Sequence, residues 1–316
     1  MRWEWEWWDL FLFISMNDYF RAVLFSCSHT PPPHSTLPPF ISSSPNMEIV
    51  CIDTEFLRRN TYFAKLSLVQ VSFGDKVFIF DATRIDFQKI WWMILDSKAL
   101  IIVHAGRQDL EILYRLYGRL PSNLADTQIM AKYAGFRSYI SYSELCQEIC
   151  GIEIDKTHQN CNWMIRELSN SQLEYAASDV VYLQELYCFL KERIANTHLC
   201  EEALAATRKE LLNDEIYKIK SEEAWKKVRF HNKQDYFISR MQTLAAFRED
   251  SASALDIPRG FFLTDVQLVQ ICNILPRNLK DLRQVKNLKK WIFRPQYSAK
   301  LFEISSKIAS LDDIHS

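Results

Sequence analysis

No stretch of the chain reaches the roughly 18 consecutive apolar residues that a helix needs to cross a bilayer, so no membrane-spanning helix is predicted and no membrane partner is expected. The eight cysteines, at 27, 51, 146, 150, 161, 188, 200 and 272, include no CxxC pair. That is no disulfide framework, and reduced core cysteines in a cytoplasmic protein are the expectation. Cys146 and Cys150 share a helix face with Cys161 and His158 beyond, but the spacing offers zinc no sensible fourth ligand. No basic segment opens the chain. MRWEWEWWDLFLF is Trp-rich and carries acids, so it lacks the basic n-region expected of a signal peptide. No internal repeat appears.

What remains is an ordinary soluble composition, 48% apolar and 24% charged, long enough at 316 residues for one large domain and a small one. The net charge of −1 hides an asymmetry. Residues 221–316 carry 16 Lys and Arg against 11 Asp and Glu, and the rest carry 22 against 28. An acidic body with a basic C-terminal piece suits a protein that holds cations in one part and meets an anionic polymer with the other.

Residues 1–46 contain the Pro- and Ser-rich PPPHSTLPPFISSSP and read as a leader, disordered or belonging to a mis-assigned start. From residue 47 the pattern is regular. Strands are predicted at 48–53, 66–73, 77–81 and 99–104, with a hairpin turn at Gly74-Asp75. Helices are predicted at 86–96 and 107–117, then a short strand ending near Asp126, then a long helix over 171–194 capped by Ser169 or Asn170. Three meandering strands followed by alternating units make an α/β domain over 47–200. A charged helical connector, 201–227, leads to short helices over 228–308, punctuated by Pro258, Gly260, Pro276 and Pro295.

The first strand, IVCIDTEF, ends in Asp53 and Glu55. Residues two apart on a strand share a face, so both acids point one way while Thr54 faces the other. Two carboxylates held together repel, and burying them costs several kcal/mol without a positive partner. A divalent cation answers that need, because hard cations take carboxylate oxygens. Strand-end acids also serve as turn or cap residues, and this pair alone does not decide. Asp109 lies in the first turn of the helix after the strand that ends at His104. It could complement the helix dipole or join Asp53 and Glu55 at the carboxyl ends of the strands. Tyr175 and Asp179 stand four apart on one helix face, either as a structural hydrogen bond or as a further part of the same site.

IDTEF, HAGRQDLEIL and YAASDVVYL resemble the three motifs of the DEDDy 3′–5′ exonucleases. TEFLRRNTYFAKLSLVQVSFGD, LADTQIMAKYAG and IDKTHQNCNW are similar to the ribonuclease D branch of that family, over about 47–195. LAAFRE, IPRGFFLTD and LPRNLKDL resemble the HRDC domain, a small helical bundle that binds nucleic acid. The resemblance implies a ribonuclease-H-like mixed sheet flanked by helices, then one all-α HRDC bundle where the familiar bacterial type has two. No lead-in strand ahead of the first motif is legible in 1–46.

By the same resemblance, Asp53, Glu55, Asp109 and Asp179 bind two divalent cations, Mg²⁺ or Mn²⁺. Asp53 would bridge them, Glu55 and Asp179 complete the first site, and Asp109 supports the second through water. Tyr175 would orient the attacking water, since a phenol with a pKa of about 10 is a poor base at neutral pH. Phe56 and His104 flank the site as substrate contacts or as packing residues. Lys226, Lys227, Arg229, Lys286, Lys289 and Lys290 are phosphate-contact candidates or a solvated basic face. The implied activity is 3′–5′ removal of mononucleotides from RNA, precursor tRNA above all, with no obligate protein partner evident. A DNA-directed exonuclease and a catalytically silent nucleic-acid-binding module are the alternatives.

Overall fold

The computed structural model describes residues 25–26, 49–195 and 197–315. It divides into two units. One comprises the strand that ends at Leu57 together with Lys65–Tyr217; the other comprises Arg58–Ala64 and the chain from Lys218 onward.

Six strands among the described residues form one mixed sheet in the first unit, in the order β1-β4-β3-β2-β5-β6. They are β1 (Phe25–Ser26), β2 (Ile49–Leu57), β3 (Lys65–Phe73), β4 (Lys76–Asp81), β5 (Leu100–Val103) and β6 (Leu124–Asp126). Neighbours from β1 to β2 run antiparallel, and β2, β5 and β6 run parallel. β1 pairs with β4 at the edge, Phe25 opposite Val77. Two residues are too few to show a strand period, so this strand is silent in the sequence. The rest of the expected leader lies outside the described residues.

β2 is longer than its pattern suggests, because it continues through both acids to Leu57. Its parallel register with β5 ends at Cys51 opposite Ile102. Asp53 and Glu55 therefore stand beyond the end of that ladder, while β3 still pairs with them on the other side. The apolar half, Val50 to Ile52, is fully buried and fixes the strand.

Seven α-helices among the described residues of this unit follow: α1 (Gln88–Asp96), α2 (Arg107–Tyr117), α3 (Thr127–Tyr133), α4 (Tyr142–Cys150), α5 (Asn170–Val181), α6 (Leu183–Ile194) and α7 (Leu199–Leu211). Cys51, Leu68, Ile79 and Ile102 on one sheet face share a core with Ala176, Val180 and Leu186. Ser169 caps α5 in a reciprocal box with Gln172. The single helix expected over 171–194 is two, because a side chain enters its ladder. Tyr142 donates its hydroxyl hydrogen to the Ser178 carbonyl (2.7 Å) and accepts from the Tyr182 amide (3.3 Å), the two groups a continuous helix would join directly.

In the second unit the helices are α8 (Asp235–Ala254), α9 (Arg259–Phe262), α10 (Asp265–Ile274), α11 (Leu279–Leu282) and α12 (Pro295–His315). α8 is longer than the short helices expected, and it supplies Phe237, Met241 and Leu244 to a core with Phe262, Leu268 and Leu301. Segment 58–64 belongs to this unit. Tyr62 donates to Glu249, which also pairs with Arg259 (Nη2 to Oε1, 2.8 Å), and the Phe63 amide donates to Asp256 (3.0 Å). No helix among the described residues is long and apolar enough to cross a membrane.

Candidate active site

Asp53 and Glu55 share the face of β2 that packs on α5, as the strand period requires. Asp179, on α5, approaches them from that side. Asp109 arrives from the opposite face: its carboxylate accepts the hydroxyl of Thr54, the residue that the alternation turns away from the two acids. The four carboxylates thus close around the overhanging end of β2 from both sides of the sheet.

The four acids act on one another electrostatically. Burial first, then Asp109, Asp179 and Glu55 in that order, hold the Asp53 carboxyl well above the ordinary range. Glu55 is pushed up to about 9 by burial, Asp179 and Asp109. Asp179 is raised to about 7 by burial and by Asp109, against a hydrogen bond from Tyr175. Asp109 is raised to about 6 by burial, with the Thr54 hydroxyl working the other way. Each neighbouring charge that acts on Asp53, Glu55 and Asp179 here is another carboxylate. Among the described residues no three His, Cys, Asp or Glu side chains already converge as a finished metal cage. The acids are near enough for one to raise another's pKa.

Tyr175 sits one turn before Asp179 and bonds to it. Burial and the acids raise its hydroxyl above the usual phenol range, so it keeps its proton. Trp163 (centroids 5.8 Å) and His158 (6.2 Å) flank its ring. Trp163 is held in turn by a bulge. Between Glu55 and Phe56 the register of β3 slips past Ser67. The Ser67 hydroxyl donates to the Trp163 carbonyl (2.5 Å) and accepts from Arg166 (2.9 Å). Arg166 also grips Asp81 with two bonds, of 2.6 and 2.8 Å. Burial lifts the Asp81 carboxyl, but the bonds from Arg166 and Thr83 outweigh it and leave the group below its ordinary value.

The turn that delivers Asp109 is organised by Asp126, a buried residue for which the sequence suggested no role. Its carboxylate accepts the amides of Ala105 (3.2 Å) and Gly106 (3.0 Å), and it caps α3 through Gln128 (2.8 Å) and Ile129 (3.2 Å). Gly106 is required there, since a Cβ would stand 2.5 Å from Val103 Cγ2. His104 spends both ring nitrogens on the fold: Nδ1 meets the Thr127 hydroxyl (2.9 Å) and Nε2 faces the Ile140 carbonyl (3.0 Å). Burial lowers its pKa. A substrate would have only its ring face to meet. Phe56 stands at the bulge, partly exposed.

One buried amide has no partner. Gln70 is fully buried, and neither Nε2 nor Oε1 makes a hydrogen bond. It lies directly opposite Asp53 in the β2–β3 register.

Residues 30–195 match the 3′–5′ exonuclease family, beginning ahead of the boundary at 47 drawn from the sequence, and residues 238–304 match the HRDC domain. The chain is 35% identical over 250 residues to ribonuclease D of Bartonella henselae, covering 78% of this chain and 61% of that one. It is 34% identical over 263 residues to ribonuclease D of Jannaschia sp., covering 80% and 67%. The chain belongs to the ribonuclease D family. The crystal structure of Escherichia coli RNase D superposes with a TM-score of 0.71 at 25% identity, over 83% of this chain and 70% of that one. The catalytic core of RRP6 from Trypanosoma brucei shares the fold, with a TM-score of 0.58 at 16% identity over 84% of this chain and 74% of that one. Against the family's sequences this chain is the shorter, spanning about two thirds of the ribonuclease D proteins it matches.

The six basic candidates, Lys226, Lys227, Arg229, Lys286, Lys289 and Lys290, are all exposed. Lys226 pairs with Glu223 (3.3 Å).

Proposed function

We propose that this protein is a cytoplasmic, metal-dependent 3′–5′ exoribonuclease that releases nucleoside 5′-monophosphates from RNA 3′ ends, with precursor tRNA as its substrate. The observation that carries the reading is the set of four carboxylates gathered around the end of β2, where the charges acting most on Asp53 are all negative. Such a set is costly alone and suits hard divalent cations, which take oxygen ligands. Asp53, Glu55, Asp109 and Asp179 would hold two of them, Mg²⁺ or Mn²⁺. When bound, the cations activate water and offset the negative charge of a phosphodiester under attack.

The protein's own groups then have distinct tasks. Tyr175 retains its proton, so it orients the attacking water rather than deprotonating it. Its bond to Asp179 couples that position to the acids. Trp163, fixed by Ser67 and Arg166, holds the phenol ring in place. With domain boundaries at 47–200 and 228–308 and a connector at 201–227, hydrolysis belongs to the first part, and RNA contact belongs to the exposed basic residues at the end of the connector and in the second part.

The test is 3′-end shortening of a labelled RNA, beside a DNA strand of the same sequence, in Mg²⁺ and in EDTA. Wild type should shorten RNA in Mg²⁺ alone, and Asp53→Ala should fall by about 10²- to 10³-fold or more. Equal activity of the two proteins, or of wild type with and without EDTA, overturns the assignment. Preference for the DNA strand would return the DNA-directed reading.

A further inference from the structure

Gln70 is the buried polar side chain nearest in register to the acids, and it is unused. A carboxamide offers two donors and an acceptor. Leaving such groups buried without partners is costly, and native proteins seldom tolerate it without a reason. An apolar residue of the same size would serve a core better.

The register supplies the reason. Residues directly opposite in an antiparallel pair put their side chains on one face, with Cβ atoms about 4.5–5.5 Å apart. Asp53 on β2, Gln70 on β3 and Ile79 on β4 form one such row across the sheet. Ile79 belongs to the apolar core on that face. Asp53 is therefore the one ionisable group in the row, and the Gln70 amide lies between it and the core. Asp53 is also the acid on which the fields of the other three converge.

We propose that Gln70 is a positioning residue for the candidate metal site: its side-chain amide donates to the Asp53 carboxylate and sets that group's orientation when a divalent cation is bound. The proposal rests on the reading above that Asp53 holds a cation. It gives the orphan amide a partner in the loaded protein. In the free protein, where Asp53 faces three other carboxylates, the amide stays unpaired. Groups that orient a ligating carboxylate typically change metal affinity by about 10- to 100-fold when removed.

The experiment compares wild type, Gln70→Met, Gln70→Glu and Asp53→Asn by thermal melting across a Mn²⁺ titration, with RNA shortening read in parallel. Met keeps the length of Gln and removes its polar atoms. Gln70→Met should melt at or above wild type in EDTA, because a buried orphan is gone. Its Mn²⁺ midpoint should move upward by about 10- to 100-fold, with kcat recovered at saturating metal. Gln70→Glu should lose the Mn²⁺ response further, since an ionised carboxylate cannot donate. It also serves as the comparison if the Met variant does not fold, and a Gln70→Glu titration that matches wild type then overturns the proposal. A Met variant whose midpoint superposes on wild type overturns it too, even if that variant melts lower in EDTA, because the amide is then only structural. If wild type itself gains no stability from Mn²⁺, or gains as much as Asp53→Asn does, the metal-site reading has failed rather than the assignment of Gln70 alone.

Discussion

The hydroxyl of Thr54 donates to the carboxylate of Asp109, joining the middle of β2 to the first turn of the helix that follows β5. The two residues are 55 apart in sequence and reach each other from one face of the sheet. Thr54→Val keeps the shape and removes the donor. A hydrogen bond to a charged group contributes about 1.5–3 kcal/mol, so urea unfolding should show a loss in that range. RNA shortening at limiting Mg²⁺ should fall more than at saturating Mg²⁺. A variant as stable as wild type would mean that Asp109 is held by its own helix.

The raised acids predict a pH dependence of the metal-free protein. Their folded pKa values lie above the ordinary ones: Asp109 goes from 3.8 to about 6, Asp179 from 3.8 to about 7 and Glu55 from 4.5 to about 9. Folding therefore favours their protonated forms. Their contribution is intact below the ordinary pKa and is lost as pH rises through the folded values. A bound cation displaces those protons, so its stabilising effect should grow over the same window. Melting temperatures in Mg²⁺ and in EDTA, from about pH 5 to about pH 9, should diverge as pH rises. Parallel curves would show that the acids do not share a cation.

Gly106→Ala places a methyl 2.5 Å from Val103 Cγ2 and 2.7 Å from its Cβ. Overpacking of this kind costs about 1–3 kcal/mol. The turn also carries the amides that Asp126 holds, so the strain is passed on toward Asp109. The melting temperature should drop, and kcat should drop with it. Pairing the change with Val103→Ala, which makes room, should restore both. Failure of that rescue would place the requirement for glycine in the backbone.

In the second unit, Glu249→Gln removes the charge that Arg259 pairs with and that Tyr62 donates to. Glu249 is 4% exposed while the Arg259 side chain is 39% exposed, so the loss is that of a charged hydrogen bond left half in solvent, about 1–3 kcal/mol. Chemical denaturation should show the helices of this unit unfolding earlier, with Arg259→Gln in addition recovering part of the loss. An unchanged midpoint would make this pair no more than a surface contact.

The candidate acids stand out in the sequence because each sits where a local period changes. Asp53 and Glu55 follow the apolar run of a strand, Asp109 lies in the first turn of a helix, and Tyr175 and Asp179 stand one helical turn apart. The partners that place them were not legible. Thr54 looked idle because alternation turned it away from its neighbours, and the helix that meets it lies far along the chain. Tyr142 breaks a helix 36 residues downstream, and no propensity within that helix signals the break. Gln70 read as one more residue of a strand, since only the register puts it opposite Asp53.

Past Cys51, β2 loses its ladder to β5 and becomes a bare edge on that side. Bare edges invite other strands. Here a helix-borne carboxylate stands beside the stretch that lacks a strand, since Asp109 takes the Thr54 hydroxyl. The same side chain therefore guards the sheet against strand addition and faces the other acids. Emptying that position with Asp109→Ala opens a templating edge as well as removing a charge, so the variant loses solubility along with activity.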